Sequence, residues 1–242
     1  MKISLILPTY NERGNVVDLI KAIEKNMEQE NWDYEILVID DNSPDGTAEI
    51  VREYQLEGTS NLNCLVREND RGLATAIKFG IQQSNGEVIV VMDTDFNHDP
   101  VMIPQMVKFL EYYDMVIGSR FVVGGGMEDW RRYFNSLMYN LFVRLLLRLQ
   151  VQDNLSGFFA AKREKIHSLD TDYIFRGYGE YFIRLLYISR RRKYKVLEVP
   201  VFYILRRHGQ SKSRFLSMLY GYTKCVLGLK FSNKERFKAP NI

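Results

Sequence analysis

Only two cysteines, Cys64 and Cys225, occur in 242 residues. They stand far apart in sequence, so no disulfide framework is implied and a reducing compartment fits. Acids and bases nearly cancel. The formal net charge of +3 gives no general attraction for nucleic acid. No uncharged apolar run approaches the roughly 18 residues that a transmembrane helix needs. The opening stretch, Met1 to Pro8, is too short in apolar residues for a signal peptide. Internal repeats and low-complexity segments are missing as well. These absences predict one large cytosolic domain, or one domain with an appendage.

What is there organises around residues 88–100. Val88 to Met92 are five apolar residues without a break, followed by Asp93-Thr94-Asp95-Phe96-Asn97-His98-Asp99-Pro100. A short β-branched run of this kind predicts a buried strand of a parallel sheet. In extended chain Asp93 and Asp95 project to the same side, at the strand edge where open α/β sheets bind ligands. Two hard oxygen donors there suit Mg²⁺ or Mn²⁺ held jointly with substrate phosphates. The alternative is a loop in which both acids cap the next helix or stay solvated.

Ile3–Leu7, Glu35–Ile39, Asn63–Val66 and Met115–Gly118 are further strand runs. Helical patterns separate them, starting at Val16, Thr47, Leu73 and Met102. The alternation predicts βαβ units and a doubly wound α/β sheet. Right-handed crossovers then place Tyr10, Asp41 and Asp93 on one rim.

Beyond Gly118 the pattern changes. Gly124-Gly125-Gly126 predicts a mobile loop. Residues 131–149 predict a long helix in which Ser136, Asn140, Arg144 and Arg148 form one polar stripe among Leu, Met, Tyr, Phe and Val. Such a helix is either buried on most sides or lies at a membrane surface with its arginines at the headgroups. Strands are expected at 156–161 and 196–201, and helices at 181–188 and 215–229. The Arg190-Arg191-Arg192-Lys193 run lacks the aromatic interleaving of a nucleic-acid patch. It predicts a solvated helix end or a face turned to anionic lipid.

Leu7-Pro8-Thr9-Tyr10-Asn11-Glu12, Asp40-Asp41-Asn42-Ser43-Pro44-Asp45-Gly46-Thr47 and Met92-Asp93-Thr94-Asp95-Phe96-Asn97-His98 together resemble the inverting GT-A glycosyltransferases. The closest subgroup is the dolichyl- or polyprenyl-phosphate mannose synthases. Gly118-Ser119-Arg120, Ser156-Gly157-Phe158 and Arg206-x-x-Gly209-x-Ser211-Lys212 agree, in the same order along nearly the whole chain. The resemblance implies a Rossmann-like, doubly wound, mostly parallel sheet with C-terminal amphipathic interface helices. It implies a catalytic domain over 1–208, with a nucleotide half (1–119) and an acceptor half (120–208), then a basic amphipathic segment over 209–242. Pro8, Tyr10, Glu12, Ile39, Asp41 and Thr94 would line the nucleotide site. Asp93, Asp95 and Asn97 would hold Mg²⁺ or Mn²⁺; Asn97 replaces the Gln of most relatives, one methylene shorter, so a bridging water is the alternative to direct contact.

The implied reaction moves a hexose, mannose from GDP-mannose, to a polyprenyl (dolichyl) phosphate. A phosphate acceptor is already an anion and needs cations rather than a base. Arg120, Arg132, Ser136, Arg206 and Lys212 match positions that serve this role, and the guanidinium fork suits phosphate oxygens. The runner-up uses a hydroxyl acceptor or another sugar nucleotide such as UDP-glucose, with Glu180 as the candidate base. A binding protein without turnover is the rival from another class. His98 is expected beside the metal site rather than in it. The resemblance further implies a peripheral place on the cytoplasmic face of a membrane. The protein would dock there through its own apolar helices or through a membrane-anchoring partner subunit.

Overall fold

The computed structural model describes residues 1–58, 61–204, 215–232 and 237. Seven strands form the central sheet: β1 (Lys2–Thr9), β2 (Asp33–Asp40), β3 (Leu62–Val66), β4 (Val88–Val91), β5 (Met115–Ser119), β7 (Phe159–Lys162) and β8 (Val196–Pro200). Their order is β3-β2-β1-β4-β7-β5-β8. All neighbours run parallel except β7, which lies antiparallel to both β4 and β5.

Period-two alternation in the strands separates two cores. Ile3, Leu5, Leu7, Ile36, Val38, Val88 and Val90 face α1 (Val16–Gln29), α2 (Thr47–Leu56) and α4 (Ile103–Phe109). Ile6, Leu37, Ile39, Ile89 and Val91 face the other side. There they meet α3 (Leu73–Gln83), α5 (Trp130–Leu147), α8 (Glu180–Arg191) and α9 (Phe215–Phe231). Both faces are covered, so the middles of β1, β2 and β4 are apolar on both sides. Gly80 marks the closest approach of α3: a Cβ there would come within 2.5 Å of Ile6. Two short helices, α6 (Arg163–His167) and α7 (Thr171–Ile174), link β7 to α8. Tyr222, Val226 and Leu229 of α9 belong to the same core as Ile6, so this helix is packed on the sheet's domain.

Two expectations are corrected. Gly126 is not part of an irregular loop: Gly126–Met127 forms β6, paired parallel with β9 (Phe202–Tyr203). Glycine is required there because a Cβ would meet the Phe202 ring at 2.7 Å. The polar stripe of α5 does not face one way: Asn140 is turned inward, Ser136 and Arg144 are half-buried, and Arg148 is exposed. Asn140 is buried, and its Oδ1 accepts from Asn154 N at 2.6 Å. The apolar side is left outside: Trp130, Phe134, Met138, Leu141 and Leu145 are exposed, the last at 71%. Among the described residues no helix is long and apolar enough to cross a membrane.

The rim of the sheet opposite the strand ends is tied by Glu35. Its carboxylate accepts from Ser4 Oγ (2.5 Å) and Asn85 N (2.6 Å) and faces Lys2 Nζ at 3.5 Å. Burial alone would raise this carboxyl, but the hydrogen bonds and Lys2 hold it below the ordinary 4.5. The unfolded chain therefore binds the proton more tightly. The resulting stability is present above pH 4.5 and lost as pH falls through the lowered native value. Glu35→Gln should cost about 1–2 kcal/mol at neutral pH and flatten the acid limb of stability. Urea titrations at several pH values check both; an unchanged acid limb would discard the assignment.

Candidate active site

Strands β1, β2 and β4 end on one rim, in register at Thr9–Asp40 and Ile6–Val91. Beyond these ends lies a cavity of about 440 Å³. Pro8, Tyr10, Glu12, Asp41, Asp93, Thr94 and Asp95 line it, so most of the expected nucleotide residues converge. Ile39 does not: it is fully buried in the core and contributes only packing.

Asp41 and its neighbour divide two tasks. Asp40 is fully buried and accepts from Thr9 Oγ1 (3.0 Å), Ser43 N (2.8 Å) and Ser43 Oγ (2.6 Å), which fixes the turn after β2. Asp41 stands on the cavity wall. Its Oδ1 accepts from Arg67 Nε at 2.8 Å and from Arg67 Nη2, and its Oδ2 accepts from Gly72 N at 2.8 Å. Gly72 sits at φ +148°, where side chains are rarely placed, and its carbonyl starts α3 by accepting from Ala76 N. The buried Asp41–Arg67 pair thus seats the segment that closes the cavity. Arg71 of that segment stacks over the Tyr10 ring, 5.2 Å from its centre. Arg67, Arg71, Gly72 and Tyr178 escaped the sequence reading. Arg67 had a signal, since it directly follows a strand on the ligand rim; the weak pattern of β3 hid it.

The loop after β4 is sharply bent. Phe96 has φ +61° and is buried, a left-handed turn that non-glycine residues adopt only under constraint. Two tethers supply the constraint. Thr94 Oγ1 donates to Pro8 O at 3.0 Å, so Thr94 joins β4 to β1. His98 Nδ1 accepts from Asp93 N at 2.8 Å. With Nδ1 accepting, the ring proton is on Nε2, which lies 2.7 Å from Tyr203 Oη and 3.2 Å from Ser156 O. Burial lowers the His98 pKa to about 4, with Asp95 opposing and Arg120 adding to the shift. The imidazole is therefore neutral and stacks on Phe158 at 4.9 Å. It lies beside the carboxylate pair and positions it, as expected.

The carboxylates themselves differ. Asp93 is partly exposed, while Asp95 is buried and accepts from Asn97 N (3.2 Å) and Asn97 Nδ2 (2.8 Å). The Asn97 amide nitrogen is thus turned to Asp95, and this residue orients the carboxylate. Among the described residues no three His, Cys, Asp or Glu side chains cluster around a metal position. Two carboxylates on the wall of this cavity fit a hard divalent ion whose remaining ligands would come from substrate and water.

A second cavity of about 190 Å³ adjoins the first, sharing Asp93, Leu73 and Tyr178 with it. Arg120, Arg132, Ser156, Tyr203 and Tyr222 line it. Arg120 is buried and paired with Asp153 through Nε and Nη2, both at 2.7 Å. Its guanidinium lies 4.7 Å over the Tyr203 ring. Its charge is already balanced, so in this geometry it braces the wall. Arg132 is exposed at the start of α5, where Asp129 caps the helix by accepting from Arg131 N and Arg132 N. Ser136 lies one turn further on, half-buried against Asn140 and off the cavity wall. Arg206 and Lys212 lie outside the described residues. Glu180, the candidate base of the runner-up, is turned away: it accepts from Tyr178 N at 3.0 Å, faces Arg184 at 3.4 Å and does not line the cavity.

Arg67→Met should destabilise the fold by about 3–5 kcal/mol, because it leaves Asp41 buried beside the cavity without its guanidinium. Pairing it with Asp41→Asn should return part of that loss. Urea unfolding of the two single variants and the double variant measures the coupling, and strict additivity would sink it.

Comparison with known proteins agrees with this geometry. The family described as Glycosyl transferase family 2 matches residues 4–169. The chain is 36% identical over 218 residues to the dolichol-phosphate mannosyltransferase of Pyrococcus furiosus, covering 88% of this chain and 59% of that protein. It therefore spans less than two thirds of that relative's length. It is 30% identical over 219 residues to the undecaprenyl-phosphate mannosyltransferase of Micrococcus luteus, covering 88% of this chain and 87% of that one. Glucosyl-3-phosphoglycerate synthase of Mycobacterium tuberculosis, solved with Mn²⁺, uridine-diphosphate-glucose and phosphoglyceric acid, shares the fold. Its TM-score is 0.70 at 22% identity, over 95% of this chain and 79% of that one. A sheet of this order, carrying its paired aspartates on the ligand rim and matching the family profile over more than half its length, places the chain in glycosyl transferase family 2.

Proposed function

We propose that this protein transfers a hexose, mannose from GDP-mannose, to a polyprenyl phosphate at a membrane surface, with inversion at the anomeric carbon. The observation that carries this reading is that the two cavities adjoin at Asp93, which lines both. A nucleotide diphosphate in the first would present its sugar to the second. The reading is further supported by the mannosyltransferase names of the two relatives above.

The acceptor side favours a phosphate over a hydroxyl. A hydroxyl must lose its proton to a carboxylate, and the acids near this cavity are committed elsewhere. Asp129 caps α5, Asp153 pairs with Arg120, and Glu180 faces Arg184. Arg132 supplies positive charge at the cavity, beside Asp129, which caps the same helix through Oδ1. Arg206 and Lys212 are proposed to add to it. Asp93 and Asp95 would hold Mg²⁺ or Mn²⁺, which when bound offsets the charge of the departing nucleoside diphosphate. Asn97 and His98 keep those two carboxylates in place. Tyr10, with Arg71 on its ring, offers a flat surface for the base, and Glu12 and Asp41 offer acceptors for base N–H groups or ribose hydroxyls. The exposed apolar side of α5 suits an enzyme whose acceptor keeps its tail in a bilayer.

Asp93→Ala and Asp95→Ala should each abolish transfer and metal-dependent donor binding while circular dichroism stays that of wild type. Asn97→Ala should cost less, since it orients a carboxylate. The assay is radiolabelled sugar nucleotide with membranes, followed by organic extraction; donor binding indifferent to EDTA would count against the metal.

Arg132→Ala should keep donor affinity but lose turnover of lipid phosphate about tenfold or more, the scale of one charge-assisted phosphate contact. Glu180→Gln is the control. If Glu180→Gln collapsed the rate and Arg132→Ala did not, a hydroxyl acceptor would replace the phosphate.

A further inference from the structure

Two cavities that adjoin have a wall in common. Among the described residues Leu73, Asp93 and Tyr178 line both. Asp93 gives that wall its charge, and Leu73 and Tyr178 give it apolar surface. Tyr178 is the one ring of the three and is 44% exposed. Its aromatic neighbours along the chain, Phe175, Tyr181 and Phe182, are all buried. The chain thus holds one ring out at the junction and buries the others around it.

The turn that carries Tyr178 joins α7 to α8 and is braced at several points. Phe175 stacks on Tyr181, their ring centres 5.6 Å apart. The buried Arg184 ties the two ends of the turn. Its Nη1 donates to Ile174 O at 2.9 Å and to Arg176 O at 2.7 Å, and its Nη2 donates to Glu180 Oε1 at 3.4 Å. The other oxygen of Glu180 accepts from Tyr178 N at 3.0 Å. Gly177 sits at φ +78°, and a Cβ there would collide with the Glu180 carboxylate. A Cβ on Gly179 would collide with the Tyr222 hydroxyl of α9. The turn also abuts the segment that closes the first cavity: a Cβ on Gly72 would lie 3.7 Å from Gly177 O. Backbone fixed in this way sets where the Tyr178 ring stands.

A nucleoside diphosphate in the first cavity and an acceptor phosphate in the second would leave the hexose between them, against the shared wall. A hexose carries its hydroxyls around the edge and C–H groups on its faces. The face of an aromatic ring is electron-rich and attracts such C–H groups. We propose, on the transferase reading above, that the Tyr178 ring is the surface on which the transferred hexose rests, with Leu73 beside it. Tyr178 would then recognise the sugar, while Tyr10, Glu12 and Asp41 recognise the nucleoside.

The test measures dissociation constants of the full chain by calorimetry with Mn²⁺ present, for GDP-mannose against GDP and for UDP-glucose against UDP. The ratio within each pair isolates the hexose from the nucleotide. Tyr178→Ala should leave nucleoside diphosphate affinity near wild type and weaken the sugar nucleotide relative to it by about fivefold, the scale of one aromatic contact. Tyr178→Phe keeps the ring and should keep the wild-type ratio. Circular dichroism reports the fold of each variant. Tyr178→Leu keeps apolar bulk without the ring; it should shift the ratio in the same direction and gives the answer if the Ala variant fails to fold. An Ala or Leu variant with the wild-type ratio overturns the contact and leaves the transferase reading standing. A Phe variant that loses as much as the Ala variant also overturns it, because the hydroxyl and not the ring would then hold the sugar. Wild type that binds neither sugar nucleotide overturns the transferase reading and the contact together.

Discussion

Asp93 is set in place through its backbone, by donating its N–H to a neutral imidazole. Much of the wall of the second cavity depends on that bond. His98 can accept on Nδ1 only while uncharged, and full burial keeps it so. Its other nitrogen reaches Tyr203 and Ser156, and the Tyr203 ring supports Arg120. Arg120 is in turn held by Asp153. One chain of contacts therefore runs from β4 through β9 to the end of β5 and the loop after α5. A change anywhere along it would be felt at the rim carboxylate, though only Asp93 and Arg120 line the acceptor cavity together with the Ser156 and Tyr203 that join them.

The rim around the first cavity is built on a different economy of charge. Asp40 and Asp41 are adjacent and both buried, yet neither is wasted on solvent. Asp40 folds its own turn, and Asp41 reaches across to Arg67 and Gly72. A buried acid with a buried guanidinium partner is weak evidence for stability but good evidence that one geometry is required. Here the geometry is that of the segment 67–72, which brings Arg71 over Tyr10. The cover on the Tyr10 ring is thereby set by residues far from it in sequence.

Much of this was legible before any coordinates. Unbroken apolar runs ending in polar residues located β1, β2 and β4, because a strand covered on both faces has no freedom in composition. Convergence of Tyr10, Asp41 and Asp93 followed from crossover handedness. Local patterns fail where partners are distant. Ile39 resembles its neighbours on the rim in sequence, but alternation turns it into the core. Asp153 sits in a polar loop with nothing to mark it as the counter-ion of Arg120. The α5 stripe was visible, but not which of its members turn inward: a polar residue on an apolar helix reads the same whether it faces water or the core.

The reversed strand β7 has a consequence for how this chain can vary. Ile117 of β5 lies beside Phe159 of β7, and the two strands run antiparallel. Everything between them, α5 and the Asp153 loop included, is topologically the loop of one wide hairpin. It leaves and re-enters the sheet at the same rim. The entropy of closing such a loop grows only slowly with its length. Residues can therefore be gained or lost in its exposed turns at little cost to the sheet, while Asp153, paired with Arg120, and the buried Val143 and Leu147 stay tied to it. The turns of this excursion can thus reshape the second cavity while the first, at the ends of β1, β2 and β4, keeps its walls.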